Sequence, residues 1–307
     1  SPPAFHHSPP SNAAPPVCVM LDRTEYPQKP EKGGQAYARI NGAIARNQVQ
    51  VSIPELAERI TQGCAFAPAV FFGGKRSQQS WIQQQVFALD FDEGVTIEAF
   101  LQRCIKLGIT PSFVYPSFSH TKQNHRFRAV FVCDQLVTDI RVRNLIQTML
   151  MKLYTTSTWG PDTQCKDAAR FFLGTCYPTC FESFESVINP IGLLQVLCDE
   201  ITRKDPSHAK ARLSSLGEEL GLHPCPQQFG VDFGVFDHES ITGENVYGAY
   251  NIYAQYTISP TVPSSSIRWN CTLIQLPWNE SNSSYKKNPK SAGRTHTVDD
   301  GKHCPGP

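Results

Sequence analysis

The chain has 307 residues, 40% of them hydrophobic, and carries 28 Lys and Arg against 27 Asp and Glu, a formal net charge of +1. That length allows one large domain or two modest ones. The near-balance of charge excludes a uniformly basic surface of the kind that coats nucleic acid, and no apolar run reaches the ~18 residues that a membrane span needs. The 11 cysteines are scattered, several within apolar segments where Cys serves as a small buried hydrophobe. With no signal-peptide pattern, this favours a reducing, cytoplasmic setting over a disulfide scaffold.

Residues 1–33 are rich in Pro and Ser and read as a disordered leader. A short helix is expected over 34–47, and Ser52-Ile-Pro-Glu55 opens a second, to about 62, as a capping box. A short strand at 69–72 and the turn Gly73-Gly-Lys-Arg76 lead to the apolar run Val86-Phe-Ala-Leu-Asp-Phe-Asp92. A helix follows over 96–107. Strands at 112–117 and 127–133 pair as a hairpin around the basic loop 119–126. The clearest helix is 138–154, where Val142, Leu145, Ile146, Met149, Leu150 and Leu153 repeat at three-and-four spacing. Beyond a loop at 157–168, a strand is expected at 170–173, an edge strand at 184–188, and helices over 191–201 and 207–220. The sequence therefore divides into a leader (1–33), a globular domain (34–203), a helical extension (204–224) and a linker or poorly ordered tail (225–307). Helices alternating with strands and hairpins place the fold in the α+β (mixed α/β) class, with a mixed sheet.

The chemistry gathers in three segments. Asp90 and Asp92 alternate onto one face at the end of an apolar strand. Two carboxylates so placed repel unless a cation lies between them, and Mg²⁺ favours such oxygens together with phosphate; the plain alternative is a polar strand end entering a turn at Glu93-Gly94. The second segment is a hairpin, Tyr115-Pro-Ser-Phe-Ser-His-Thr121 with Asn124-His-Arg-Phe-Arg128, inside a stretch (99–133) that holds no acidic residue. The third is Pro161-Asp162 followed by Asp167-Ala-Ala-Arg170-Phe-Phe-Leu-Gly174. Phosphoryl or nucleotidyl transfer needs carboxylates for divalent ions, which Asp90, Asp92 and Asp162 supply. It also needs donors to phosphate oxygens, which Ser119, His120, Arg126, Arg128 and Arg170 supply.

In this order the segments resemble the three motifs of the archaeo-eukaryotic primase superfamily, most closely the primase–polymerase domains of plasmids, phages and integrated mobile elements. The resemblance spans about residues 35–190. It implies an RRM-like sheet flanked by helices, and a DNA primase or DNA-directed polymerase working with two Mg²⁺ or Mn²⁺ ions. Asp90, Asp92 and Asp162 become the catalytic metal ligands, His120 the phosphate-contacting histidine, and Arg170 a nucleotide or template contact. The implied partners are a single-stranded DNA template, nucleoside triphosphates and a replicative helicase in cis or in trans; no membrane is involved. The family's second motif is often Ser-x-His, whereas here Ser119 stands directly before His120, so His125 is the other candidate. Lys75 and Arg76 form a solvated turn or touch the template.

Three other readings stand beside this one. A haloacid-dehalogenase-type phosphatase would use Asp90 as its nucleophile. A non-catalytic RRM-like module would read bases through exposed aromatics. Cys176 and Cys180, with His223 and Cys225 downstream, would hold zinc if they are not simply buried or free thiols.

Overall fold

The computed structural model describes residues 16–219 and the two-residue strand Arg294–Thr295. Two sheets organise it. The smaller has strand order β2-β1-β3, with β1 (Val17–Leu21) antiparallel to both β2 (Gln48–Val51) and β3 (Phe66–Ala67). The larger has order β4-β5-β7-β6-β8-β9, comprising β4 (Ala69–Phe71), β5 (Trp81–Phe91), β6 (Phe113–Pro116), β7 (Phe127–Val137), β8 (Phe181–Glu182) and β9 (Arg294–Thr295). The class is α+β. The sheets are not mixed, however: every ladder among the described residues is antiparallel, and parallel pairing is confined to one bridge, Cys133 to Ile188.

Helices α1 (Gln35–Ile44), α2 (Ile53–Thr61), α3 (Ile97–Leu107), α4 (Ile140–Leu153), α5 (Pro190–Lys204) and α6 (Ala209–Glu219) complete the fold. Their ends follow local chemistry. Ser52 accepts a hydrogen bond from Glu55 N–H and caps α2, whose Ile53, Leu56, Ala57 and Ile60 make one buried stripe. Thr96 caps α3 through Ala99 N–H, and Gly108, at φ +69°, ends it in the left-handed region. The succession β5-α3-β6-β7-α4, with β7 lying between β5 and β6, follows an RRM-like order. The place beside β5 that a closing strand would take is filled from upstream by β4.

Alternation along the strands separates two cores. Phe87, Leu89 and Phe91 of β5, with Phe127, Ala129 and Phe131 of β7, pack against α3, α4, α5 and α6. Val86 and Ala88, with Val130, Val132, Phe113 and Tyr115, face the other way onto β1 and α2.

Several expectations are corrected. The stretch 17–33 is not a structureless leader: Val17 and Val19 are fully buried in β1, because a five-residue apolar run can pair with β2 and β3 brought back by the chain. The strand expected at 170–173 reduces to a single bridge, Phe66 to Phe172, since Arg170 is drawn toward carboxylates and Gly174 lies against the Gly63–Cys64 backbone. The expected edge strand at 184–188 is displaced to β8, with only Ile188 bridging. The boundary at 203/204 falls inside α5, and α6 contributes Leu213 and Leu216 to the main core instead of forming a separate extension. The 225–307 tail lies outside the described residues except for β9, which pairs with β8.

Candidate active site

Asp90 sits on β5 opposite Arg128 of β7, which is in turn opposite Tyr115 of β6. All three project to the face occupied by Val86, Ala88 and Val130, at the end of that core. Asp90 is only 4% exposed, and a buried carboxylate must be paired. Arg128 Nε donates to its Oδ1 at 3.1 Å, and Arg170 Nη2 to its Oδ2 at 2.7 Å.

Asp162 is delivered from the opposite side by a backbone stitch: its N–H donates to the carbonyl of Asp90 at 2.8 Å. Its Oδ1 accepts from Gln164 N–H at 2.9 Å, capping the short 3₁₀ turn Thr163–Lys166, and its Oδ2 accepts from Arg170 Nη1 at 2.8 Å. Arg170 thus spans two carboxylates. Asp92, just past the strand end, is half exposed and lies 3.7 Å from Arg126 Nη1.

Carboxylate oxygens of Asp90, Asp92 and Asp162 all come within 4.8 Å of one another, and this is the group among the described residues able to hold a metal ion. The donor set fits a hard divalent cation, being all oxygen. It also has spare capacity, since an ionised carboxylate offers about four lone-pair sites and Asp90 uses two of them on arginines.

The electrostatics differ across the cluster. Burial, then the neighbouring Asp90 charge, push the Asp92 carboxyl above its ordinary range despite Arg126 and Arg128. At Asp162 burial acts in the same direction but is outweighed by the Gln164 N–H and Arg170, which hold its carboxyl low. Burial works against the Arg128 cation, yet Asp90 and Tyr115 more than compensate, so it stays firmly charged. Three guanidiniums therefore face three carboxylates.

A polar scaffold that the sequence reading did not identify holds this arrangement. Arg143 on α4 is buried and donates to Gln84 Oε1 at 3.1 Å and to the carbonyls of Lys166 and Asp167 at 2.7 and 3.3 Å. It fixes the turn that carries Asp162. Gln147, one helical turn on, donates to the Ala88 carbonyl at 3.2 Å. Their signal was present: both lie i, i+4 on the helix, flanking its apolar series. Cys165 Sγ accepts from Asp90 N–H at 3.3 Å, its thiol pushed up to about 12 by burial. The carbonyl of Leu173 accepts from Arg128 Nη1 at 2.8 Å and from Tyr115 Oη at 3.2 Å. Arg128 and Arg170 both lie over the Phe172 ring, at 5.7 and 5.1 Å.

The hairpin brings Ser119, Arg126 and Arg128 to one small cleft of about 30 Å³, which Asp92 also lines. The two histidines stand side by side, ring centroids 4.9 Å apart, but have different partners. His120 is 8% exposed; its Nδ1 accepts from Arg126 N–H at 3.2 Å, inside the hairpin. Burial, then His125, hold its imidazole below the ordinary range. A neutral ring that accepts at Nδ1 carries its proton on Nε2. His125 Nδ1 instead accepts from Ile97 N–H at 3.0 Å, satisfying the first turn of α3.

Lys75 is exposed in the Gly73-Gly74 turn. Arg76 is not a free surface cation: its guanidinium donates to the Ala169 carbonyl and Asn41 Oδ1 and lies over Phe171 at 4.9 Å. Burial lowers its pKa. The zinc alternative finds no support among the described residues. Cys180 is buried, donates to the Val114 carbonyl, and has its thiol pushed up to about 12 by burial. Cys176 is disulfide-bonded and so is not the free or buried thiol that is the alternative to a zinc ligand, and His223 and Cys225 lie outside the described residues.

No protein-family model matches the sequence, and comparison with curated proteins gives no match. Among solved structures, the AEP domain of the primase-polymerase of cyanophage S-2L is similar over 60% of this chain and 89% of that one, at 14% identity and a TM-score of 0.29. An overlap that loose assigns no residue a role, and the site rests on its own geometry. No helix among the described residues is long and apolar enough to cross a membrane.

Proposed function

We propose that this chain is a primase–polymerase of the archaeo-eukaryotic primase type, a nucleotidyltransferase that adds nucleotides to a chain paired with a single-stranded DNA template. The observation that carries the reading is the convergence of Asp90, Asp92 and Asp162 beside a cleft lined by Ser119, Arg126 and Arg128. Carboxylates alone describe many cation sites; carboxylates next to a basic, hydroxyl-bearing cleft describe a site for a cation and a polyphosphate together.

Asp90, Asp92 and Asp162 would hold two Mg²⁺ or Mn²⁺ ions, whose chemistry, when bound, is to stabilise the attacking and leaving oxygens of an in-line displacement. Arg126 and Ser119 orient the phosphates from the hairpin. His120 offers its Nε2–H to a phosphate oxygen, with Nδ1 already engaged by the Arg126 backbone. Arg128 and Arg170 each hold one oxygen of Asp90 and so fix the direction in which its carboxylate points. Operation within a plasmid, phage or other mobile element, with a helicase in cis or trans, is the setting that the motif resemblance suggests.

The rival readings fit less well. As a phosphatase nucleophile, Asp90 would have to reach a substrate phosphorus directly, but it is 4% exposed and flanked by Arg128 and Arg170, whereas a small cation can share its remaining lone pairs with the more open Asp92 and Asp162. An RRM-like base reader needs exposed aromatics on its sheet, yet Phe113, Tyr115 and Phe127 are fully buried.

The test is primer extension on a single-stranded DNA template, with and without a primer, in Mg²⁺ and in Mn²⁺. Incorporation that follows the template and stops with EDTA is expected. Absence of incorporation with both ions, or release of inorganic phosphate from phosphomonoesters in its place, overturns the proposal.

A further inference from the structure

Lys29 lies upstream of the segment in which the motifs fall, within the stretch that composition alone assigns to a leader. The structure brings it into the hairpin cleft. Its Nζ donates to Ser119 Oγ at 3.1 Å, and it lines that cleft with Asp92, Ser117, Arg126 and Arg128.

The placement is built rather than incidental. Asp22, 2% exposed, anchors the start of the segment: it accepts from Thr24 N–H and Tyr26 Oη, and its own N–H donates to the Ala65 carbonyl at 2.8 Å. The Tyr26 backbone presses on Gly63, where a Cβ would come within 2.1 Å of the Tyr26 carbonyl oxygen. On its other side the Gly63–Cys64 backbone meets Gly174, where a Cβ would lie 2.4 Å from Gly63 C. Three backbone layers are thereby stacked: the Lys29 segment, the end of α2, and the end of the Arg170–Gly174 motif. Pro30, next to Lys29, is buried. The lysine's carrier is fixed to the same frame as Arg170.

Charge pairing then distinguishes Lys29 from the other cations. Arg126 is near Asp92, Arg128 is committed to Asp90, and Arg170 to Asp90 and Asp162. Lys29, exposed at the mouth of the cleft, donates to a neutral hydroxyl. An ammonium has three donors, so most of its capacity remains for an incoming anion.

We propose that Lys29 binds the terminal phosphates of the incoming nucleoside triphosphate, working with Ser119 and Arg126. This rests on the nucleotidyltransferase reading and adds to it a contact from outside the motifs. The ligand chemistry is a phosphate oxyanion, which a triphosphate or a template backbone could supply. The triphosphate is favoured because Asp92 lines the same cleft, so a phosphate held there is also within reach of a bound cation.

The experiment uses the full chain with Mn²⁺ and measures, by calorimetry, affinity for a non-hydrolysable nucleoside triphosphate and for the matching monophosphate. A fluorescent single-stranded oligonucleotide is titrated in parallel at several salt concentrations. Lys29→Ala should weaken triphosphate binding roughly tenfold, the scale of one charge-assisted hydrogen bond. It should leave the monophosphate, the oligonucleotide and the melting temperature unchanged, and Lys29→Arg should restore most of the loss. Unchanged triphosphate affinity in Lys29→Ala overturns the assignment. So does a selective loss of oligonucleotide binding with a shallower salt slope, which would make Lys29 a template contact. If the unaltered protein binds no triphosphate at all, the nucleotidyltransferase reading falls, and the role of Lys29 with it.

Discussion

The two faces of the β5–β7 pair obey opposite rules. On one, Phe87, Leu89, Phe91, Phe127, Ala129 and Phe131 meet four helices, and the contact is wholly apolar. On the other, the same strands begin apolar with Val86, Ala88, Val130 and Val132 but end in Asp90 and Arg128. A one-residue step along the chain thus separates a side chain that stabilises the fold from one placed to do chemistry. The second face shows how a charge can be kept at the edge of a core: it is paired, hydrogen-bonded and backed by aromatic rings. Its stability contribution is therefore conditional on every partner being present, whereas the first face depends on volume alone.

That contrast can be broken by substitution. Phe91→Ala, on the apolar face, should cost about 4 kcal/mol in chemical denaturation, the usual scale for an aromatic removed from a tight core. Arg128→Ala, on the charged face, should cost about 3 kcal/mol, because it leaves Asp90 buried with half its pairing. A loss below about 1 kcal/mol would show that Asp90 reaches solvent instead. By the same argument Asp90→Ala is a poor probe of chemistry, since it strands Arg128 and Arg170, and a loss of activity there would be confounded with a loss of fold.

The histidines sharpen the comparison further. His125→Ala removes the acceptor for Ile97 N–H and should cost about 1 kcal/mol while leaving triphosphate affinity in Mn²⁺ intact. His120→Ala should weaken that affinity. The reverse pattern, read by calorimetry on both variants, would transfer the phosphate-contacting role to His125.

The smallest effect is a pH dependence. The His120 ring is held below its ordinary range by burial and then by His125, so on acidification the unfolded chain takes up that proton first. Its contribution to stability is complete above about pH 6.5, the unperturbed value. It declines as pH falls below that and is lost once the pH has passed the lowered folded-state value. Denaturation midpoints measured across this window should fall more steeply in the unaltered protein than in His120→Gln; parallel curves would contradict the assignment.

Much of the site was legible because its signals are local. The alternation of Asp90 and Asp92, the basic hairpin, and the Asp162…Arg170 spacing could each be read from neighbouring residues. What linked them could not. The bond from Asp162 N–H to the Asp90 carbonyl, and the reach of Arg170 across both carboxylates, depend on a turn held by Arg143 from another helix. The strands β1 and β2 were missed for a related reason. Val17–Leu21 is short and follows a Pro-rich stretch, and its pairing is with residues about 30 to 50 positions away. Lys29 carried no local signal at all, because its significance comes only from what the stacked backbones bring beside it.

The most direct test of the central claim is a single substitution at Asp92. This carboxylate is half exposed and makes only a loose ion pair, at 3.7 Å. Asp92→Asn should therefore leave the melting temperature within a degree or two, a surface change of about ±0.5 kcal/mol. Template-directed incorporation in Mn²⁺ should fall at least about a hundredfold, the scale on which ligands of a catalytic ion act. Full incorporation by a folded Asp92→Asn protein would contradict the three-carboxylate site on which the account stands.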